Sequence, residues 1–217
     1  MKRWAAMFGV LLVGMALGTL AQEQARNLNL RGDRFKPLTW ETLTPEQKTM
    51  VNELLGGVRV ALNGPFNVLL RSPEMGNLAQ KLGEQLRFRS SLPKRLNEMA
   101  IMMTARAWTS QYEWATHKTQ ALGAGLSPAI LDDIQAGRRP ANMQPDEAVV
   151  YDFCTELRTT HRVSDATFKK ALDLFGEKGI VDLIGVMGYY DLVSMVLNVD
   201  RYPLLPEAGP LPFAEPK

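Results

Sequence analysis

Apolar residues recur along this chain at the three- and four-residue intervals of α-helices, and no segment alternates apolar with polar residues as a strand would. Most of the apolar stretches follow a helix start signal, in which a polar capping residue precedes a proline or an acidic residue. The predicted starts are Thr44-Pro45, Ser72-Pro73, Ser91-Leu92-Pro93, Ser127-Pro128, Gln144-Pro145 and Ser164-Asp165. The pattern predicts an all-α fold, a single-domain helical bundle without internal repeats.

Two of the predicted helices differ in how much of their surface is apolar. In the helix after Ser72, the residues Leu78, Leu82 and Leu86 fall on one stripe. This spacing predicts an amphipathic helix with that stripe buried. The helix after Pro93 is apolar on nearly every face, which is typical of a helix buried on all sides.

The last apolar segment, 180–199, is long enough to suggest a membrane span. Asp182 and Asp191 lie inside it, however, and a charge at the centre of a bilayer is costly. We therefore predict a central core helix, separate from a preceding helix over 164–176. We also expect no stable membrane insertion of the mature chain.

The beginning of the chain has the three parts of a secretory signal peptide. Lys2 and Arg3 come first, 5–18 carries no charge, and the small residues Thr19 and Ala21 precede a polar run. A membrane span needs about 20 apolar residues, and this apolar part is shorter. Cleavage is therefore favoured over an uncleaved anchor, and we expect a periplasmic or secreted protein.

The sequence divides into four parts on this interpretation. The signal peptide occupies 1–21, and an irregular, polar lead-in follows at 22–43. The helical domain spans 44–200. The Pro-rich tail at 201–217 is predicted to wrap the surface without forming an element of its own.

Composition limits the possible function classes. The chain has 217 residues, of which 46% are hydrophobic and 22% charged, as in ordinary globular proteins. Without Lys2 and Arg3 the 25 basic residues become 23, which equals the 23 acidic ones, so nucleic-acid binding by a basic face is unsupported. Cys154 is the only cysteine, which excludes an intrachain disulfide and a cysteine-based metal cluster. Because His117 and His161 are far apart in sequence, we predict neither a metal nor another cofactor.

The stretch from Glu98 to Ala121 gathers more candidate chemistry than any other. On a helix, Ser110, Glu113 and His117 are spaced i, i+3 and i+7 and therefore share one face. Glu98 lies on the apolar helix before them. Desolvation raises the pKa of a buried carboxyl, whereas a neighbouring imidazole favours its charged form, and such opposed effects tune a pair for proton transfer. The structural alternative is a carboxylate near a helix N-terminus and an ordinary hydrogen-bonded histidine.

The pattern of Glu98, an apolar run and the segment QYEWATH resembles the carboxymuconolactone decarboxylase family, which includes the alkylhydroperoxidase D group. The resemblance covers roughly 64–125 well and the later helices more loosely. It implies an all-α fold of the alkylhydroperoxidase D-like type. In the family's peroxidase members, a Glu, a Cys-x-x-Cys pair and a His form a relay. Glu98 and His117 match the Glu and the His, whereas Ser110 and Glu113 occupy the two cysteine positions.

The loss of both cysteines implies proton chemistry rather than peroxide reduction. Peroxide reduction in this family needs a thiolate and a resolving thiol, and neither Ser110 nor Glu113 supplies one. The decarboxylase branch implies a cofactor-free lyase, decarboxylase or isomerase acting on a small acidic or lactone-like molecule. In this hypothesis His117 is the general acid or base, Glu98 orients and charges it, and Glu113 tunes the pair.

Four further residues are candidates for substrate binding. Ser110 or Tyr112 would donate a hydrogen bond to the substrate, and Arg106 would bind a substrate carboxylate. Tyr190 interrupts the most apolar helix and is a candidate to reach the same pocket.

An alternative from another class is a non-catalytic binding or structural protein that keeps the fold after losing thiol chemistry. Small helical proteins of the family assemble as rings or trimers. The resemblance therefore also implies a homo-oligomer, a trimer or a hexamer.

Overall fold

The computed structural model describes residues 26–204 and 209–214, so the predicted signal peptide lies outside the described residues. Within these two ranges the chain forms one short 3-10 helix at Trp40–Thr42, eight α-helices and no strand. The helices are α1 (Pro45–Gly56), α2 (Phe66–Leu69), α3 (Pro73–Phe88), α4 (Lys94–Ala107), α5 (Gln111–Gly123), α6 (Pro128–Gln135), α7 (Pro145–Thr160) and α8 (Asp165–Asp200). The prediction of an all-α fold is confirmed.

Side-chain caps begin α1 and α8, whereas Ser72 and Ser127 precede their helices without a side-chain cap. The Thr44 hydroxyl accepts a hydrogen bond from the Gln47 N–H at 3.3 Å, and the Gln47 side chain accepts one from the Thr44 N–H at 2.9 Å. At α8, the Ser164 hydroxyl accepts from the Thr167 N–H at 3.3 Å. Proline is the first residue of α1, α3, α6 and α7, where its missing N–H has no partner to lose.

Helix α4 lies at the centre of the fold and contacts α5, α6, α7 and α8. It is enclosed on nearly every side, because Leu96, Met99, Ile101 and Met102 have no exposed surface. The prediction of a helix buried all round is therefore confirmed. Such dense packing gives the helix a fixed position, so a polar side chain that projects from it is also held in place.

Helix α8 changes direction at Gly176, whose φ of 64° and ψ of 176° are not helical. A φ in this region favours glycine, because a Cβ would clash with the backbone. The two arms correspond to the helices predicted over 164–176 and 180–199. By length and composition, α8 is the one described helix that could cross a membrane, but 50% of its most apolar window is buried in the protein. It packs against α3, α4 and α7, as a core helix does.

The predicted buried stripe of α3 is wrong for two of its three leucines. Leu86 is buried, but Leu78 is 71% exposed and Leu82 is 48% exposed. The helix instead turns its small residues toward the core, which lets α8 approach closely. A Cβ placed on Gly83 would lie 2.2 Å from the hydroxyl oxygen of Tyr189. The close approach of the two helices therefore decides the orientation of α3.

The lead-in and the tail both pack onto the helices. Leu28 and Leu30 of the lead-in are buried. In the tail, the Phe213 N–H donates to the Gln111 side-chain oxygen at 2.9 Å, and the Gln111 amide donates to the Phe213 carbonyl at 2.7 Å. The Phe213 ring also meets Trp114 edge-on, with ring centres 5.1 Å apart. These contacts hold the first turns of α5, which carry the candidate site.

Candidate active site

His117 lies between two carboxylates that come from two helices. Its Nδ1 is 2.7 Å from Oε2 of Glu98 on α4, and its Nε2 is 3.3 Å from Oε2 of Glu113, one turn earlier on α5. The i, i+4 spacing on α5 places Glu113 and His117 on one face. The packing of α5 against α4 brings Glu98 to the other side of the imidazole ring. The structure thus brings together the three residues proposed as catalytic.

All three side chains are almost completely buried. Glu98 and Glu113 are each 4% exposed, and His117 is 2% exposed. Burial alone lowers the pKa of His117, but the interactions with Glu113 and Glu98 outweigh it, so the pKa is raised above its usual value. A protonated His117 directs one ring N–H toward Glu98 and the other toward Glu113. Neither ring nitrogen is then free to bind another group.

His117 and Glu113 line a cavity of about 360 Å³, whereas Glu98 lies behind His117 and does not line it. This volume suits a small molecule. Five phenylalanine or tyrosine rings and two arginines are among the residues that line the cavity. These side chains are Arg59, Phe66, Arg87, Phe88, Tyr112, Tyr189 and Tyr190.

Two tyrosines bring phenol groups close to the relay. The Tyr190 ring meets the imidazole of His117 edge-on, with ring centres 5.1 Å apart. Burial raises the pKa of Tyr112 to about 12 and that of Tyr190 well above its ordinary value. Both are therefore neutral hydroxyls near pH 7. As neutral groups they act as hydrogen-bond donors and not as bases.

Ser110 faces a different cavity from the one that His117 lines. It is the N-cap residue of α5 and has no exposed surface. Its hydroxyl oxygen has no hydrogen-bond partner among the described residues. It lines a second cavity of about 500 Å³, part of whose wall is formed by 201–204 of the tail. Tyr112 lines both cavities. Of these two predicted donors, only Tyr112 reaches the cavity that holds the relay.

Arg106 lies away from the relay cavity and is already occupied. Its Nε–H donates to the Gln135 carbonyl at 2.7 Å, and its guanidinium lies over the Phe213 ring at 5.4 Å. Gln135 is the last residue of α6, where a cation is favoured by the exposed carbonyls of the helix end. The expectation that Arg106 meets the substrate therefore requires correction, since it supports α6 instead.

Sequence reasoning missed Arg59, which does line the relay cavity. Arg59 lies in the segment between α1 and α2, flanked by Val58 and Val60. An arginine between two valines suggests a solvated charge beside buried apolar groups. The structure shows the reverse arrangement, because Arg59 is 9% exposed while Val60 is 96% exposed. No local sequence signal distinguishes these two orientations.

The other titratable residues that the sequence singles out are not part of the site. Cys154 is buried in α7, and burial raises the pKa of its thiol to about 12. His161 is the exposed residue that ends α7, with a φ of 59°. Within the described part of the chain, no group of three or more His, Cys, Asp or Glu side chains is arranged to hold a metal ion.

The chain matches no protein-family model and no curated protein sequence. Its structure is similar to a crystal structure described as an alkylhydroperoxidase AhpD core, an uncharacterized peroxidase-related protein from Ralstonia eutropha JMP134. The two share 15% sequence identity with a TM-score of 0.65, over 85% of this chain and 96% of the other. This likeness confirms the alkylhydroperoxidase D-like fold.

Proposed function

We propose that this protein is a cofactor-free acid–base catalyst, a carboxy-lyase or an isomerase, which acts on a small acidic or lactone-like molecule. The observation that carries the proposal is the position of His117 between Glu98 and Glu113, with His117 and Glu113 at the wall of a cavity. A buried pair of this kind without access to a cavity would be structural. Access to the cavity therefore favours catalysis.

In the proposed relay, Glu113 exchanges the proton with the substrate. Because both nitrogens of His117 face a carboxylate, the imidazolium reaches the cavity through Glu113. A proton passes from Nε2 to Glu113 and from the Glu113 carboxyl to a carbanion or enolate carbon of the substrate. His117 is left as the neutral imidazole, with its remaining N–H on Nδ1 donated to Glu98. Solvent restores the missing proton in the next cycle.

For a decarboxylation, the electron balance of this step is simple. The bond between the substrate carbon and its carboxylate breaks, carbon dioxide leaves, and the bonding electrons form an enolate-like anion. Protonation of that carbon by the relay completes the reaction without an oxidant or a reductant. For an isomerisation, Glu113 first removes a proton and then returns it to another carbon. Either reaction uses the relay only to move protons.

A thiol peroxidase is not supported by the site. Such an enzyme needs two thiols that form and exchange a disulfide. Ser110 and Glu113 occupy the positions that the family resemblance gives to those thiols, and Cys154 is buried with a raised pKa. We expect no hydroperoxide reduction with a dithiol reductant above that of a Cys154→Ala variant. Turnover that depends on residues of the native chain would contradict this exclusion.

The alternative, a non-catalytic binding protein of this fold, is favoured by the low exposure of the relay, at most 4% for each side chain. A binding protein would use the cavity but would not exchange protons with its ligand. The two functions therefore differ in one measurable property. That property is the exchange of carbon-bound hydrogen of the ligand with solvent.

The deciding experiment follows this hydrogen exchange. Small carboxylates and lactones that raise the melting temperature would be incubated with the protein in D₂O, and deuterium uptake and carbon dioxide release would be followed by NMR. We expect Glu98→Gln, His117→Gln and Glu113→Gln each to slow exchange or turnover by about two orders of magnitude or more. His161→Gln is the matched control. Binding without exchange in the wild type would favour the hypothesis of a binding protein. Near-wild-type rates in all three variants would contradict the proposed relay.

Export and assembly stay predictions of the sequence. The intact mass of the secreted protein would show a loss of 1–21 if the signal peptide is cleaved, and a retained Met1 would contradict cleavage. Light scattering after size exclusion would give the mass of the assembly. A trimer or a hexamer is expected, and a monomer would contradict the implication of the family resemblance.

A further inference from the structure

Arg59 is a buried charge for which the described residues provide no partner. It is 9% exposed, and its Nε and one terminal nitrogen, Nη2, are buried without a hydrogen bond in the described part of the chain. Burial lowers the pKa of its guanidinium from the ordinary value. Native proteins seldom leave a charge buried in this way, because an unpaired buried charge costs several kcal/mol. The position therefore has a cost that folding alone does not explain.

The surroundings of Arg59 hold the guanidinium in place but do not neutralise it. It lies over the Phe66 ring at 5.1 Å and over the Phe88 ring at 5.7 Å, which favours a cation without satisfying its N–H groups. Arg87 lies on the same cavity wall and adds a second positive charge, with its Nη2–H donated to Gln120 at 2.9 Å. The cavity wall is thus electropositive at the end that holds these two arginines.

The carboxylates close to Arg59 are already engaged elsewhere. Glu84 is bound by Arg89 at 2.5 Å. Glu113 is the one carboxylate among the residues that line the cavity, and it faces His117. Glu84 favours the charged form of Arg59 at a distance, but no described acidic side chain forms a hydrogen bond or an ion pair with it. Arg59 lines the cavity, and its planar guanidinium matches the two oxygens of a carboxylate that enters it.

We propose that the guanidinium of Arg59 binds a carboxylate of the substrate, and that the substrate is a small, flat carboxylate. This inference rests on the proposed function for the position of the reacting carbon, which would lie toward Glu113. The aromatic rings of Tyr112, Tyr189 and Tyr190, which line the same cavity, suit a planar, unsaturated body beside the bound carboxylate. The cavity volume of about 360 Å³ limits the ligand to a small molecule.

The carboxylate held by Arg59 is one that remains in the product. An arginine that binds a leaving carboxylate stabilises the ground state more than the transition state, because the charge moves away from that group during decarboxylation. Such binding would slow the reaction. Arg59 therefore orients the substrate, and the relay acts on another part of the molecule.

The first test uses two planar carboxylates, benzoate and fumarate, with the neutral benzamide as the comparison. Calorimetry on the full chain should show that a carboxylate binds the wild type and that benzamide does not. Arg59→Met should weaken carboxylate binding by about ten- to hundredfold, because it removes the hydrogen bonds from a charged donor to the ligand. Arg106→Met is the matched control and should bind as the wild type does. Failure of both carboxylates to bind the wild type, or equal binding by Arg59→Met, would overturn the inference.

A second measurement separates a binding role from a structural one. If Arg59 is an unpaired charge kept for a ligand, Arg59→Met should raise the melting temperature of the ligand-free protein, because it removes the cost of the buried charge. A large decrease would show that Arg59 supports the fold, and this would contradict the inference. Glu113→Gln should keep the benzoate or fumarate affinity of the wild type while losing hydrogen exchange on the substrate of the proposed reaction. Wild-type exchange in Glu113→Gln would contradict the proposed function, whereas a loss of carboxylate affinity in this variant would contradict a separate binding role for Arg59.

Discussion

Two cations, Arg95 on α4 and His117 on α5, each lie between two carboxylates, and only His117 lines the relay cavity. The first is Arg95, near the start of the helix, which binds Asp146 at 2.8 Å and also binds Glu147. Both carboxylates belong to the first turn of α7, and Glu147 also accepts from the Gln144 N–H at 2.6 Å. This cluster joins two helices and completes a helix cap. None of its members lines the cavity beside His117.

The second cluster, made of Glu98, His117 and Glu113, has the same order of charges but a different cation. His117 is a titratable imidazole whose pKa is raised by its two carboxylate partners, whereas an arginine stays charged. Two of its three members also line the cavity. The comparison shows that burial and ion pairing do not by themselves identify a catalytic site. A site needs in addition a titratable group and a path from that group to a ligand.

The largest expected effect concerns the Arg95 cluster. Glu147→Ala should lower the free energy of unfolding by about 3 kcal/mol, the low end for breaking a buried pair, because Asp146 still binds Arg95. Urea denaturation measures this loss. The rate at which carbon-bound hydrogen of the ligand exchanges with solvent, per folded molecule, should stay as in the wild type. Asp152→Ala breaks a more exposed pair with Arg139 and should cost at most about 1 kcal/mol. Equal losses in the two variants, or lost exchange in Glu147→Ala, would contradict the separation of structure from catalysis.

A smaller effect should come from the close contact between α3 and Tyr189 of α8. A methyl group on Gly83 would collide with Tyr189, which lines the cavity, so Gly83→Ala should cost about 1–3 kcal/mol and should change ligand affinity. Gly188 lies on the exposed side of α8 with no atom within 4 Å of an added Cβ. Gly188→Ala should therefore gain up to about 1 kcal/mol from helix propensity. Similar unfolding free energies for the two variants would show that the close approach of α3 and α8 is not needed.

The helix starts could be predicted from the sequence because a cap is a local interaction. Thr44 and Gln47 satisfy each other's backbone within four residues, so the segment alone contains the information. The proximity of Glu98 and His117 was also expected. It depended on the family resemblance and on the neighbouring positions of α4 and α5 in the chain. Both predictions concern residues that are close in sequence.

The predictions that the structure does not bear out concern how elements distant in sequence are oriented relative to one another. Leu78 and Leu82 are exposed because α3 turns Gly83 toward Tyr189 of α8, a residue more than a hundred positions away in the chain. Arg59 lies in an irregular segment, where no periodicity shows which side chains point inward. Arg106 is at the end of a helix, and its partner Gln135 is known only once α6 is placed. Tertiary packing decided all of these positions.

The last prediction uses titration, which is one of the two properties that separate the clusters. The folded-state pKa of His117 is raised by Glu113 and Glu98 against the effect of burial. Its contribution to stability is therefore fully present below the unfolded-state pKa of about 6.5, and it is lost as the pH rises through the folded-state value. The free energy of unfolding should thus fall from pH 6 upward. Tyr112 and Tyr190 do not titrate in this window, because burial raises the pKa of each.

The His117→Gln variant should lose this decrease, since glutamine does not titrate. Arg95→Met should keep it, because the arginine carries the same charge throughout the range. Urea denaturation at half-unit steps from pH 6 to pH 9 would compare the three proteins. Parallel curves for the wild type and His117→Gln would mean that the two carboxylates do not hold a proton on the imidazole. In that case the second cluster would differ from the Arg95 cluster only in its access to the cavity.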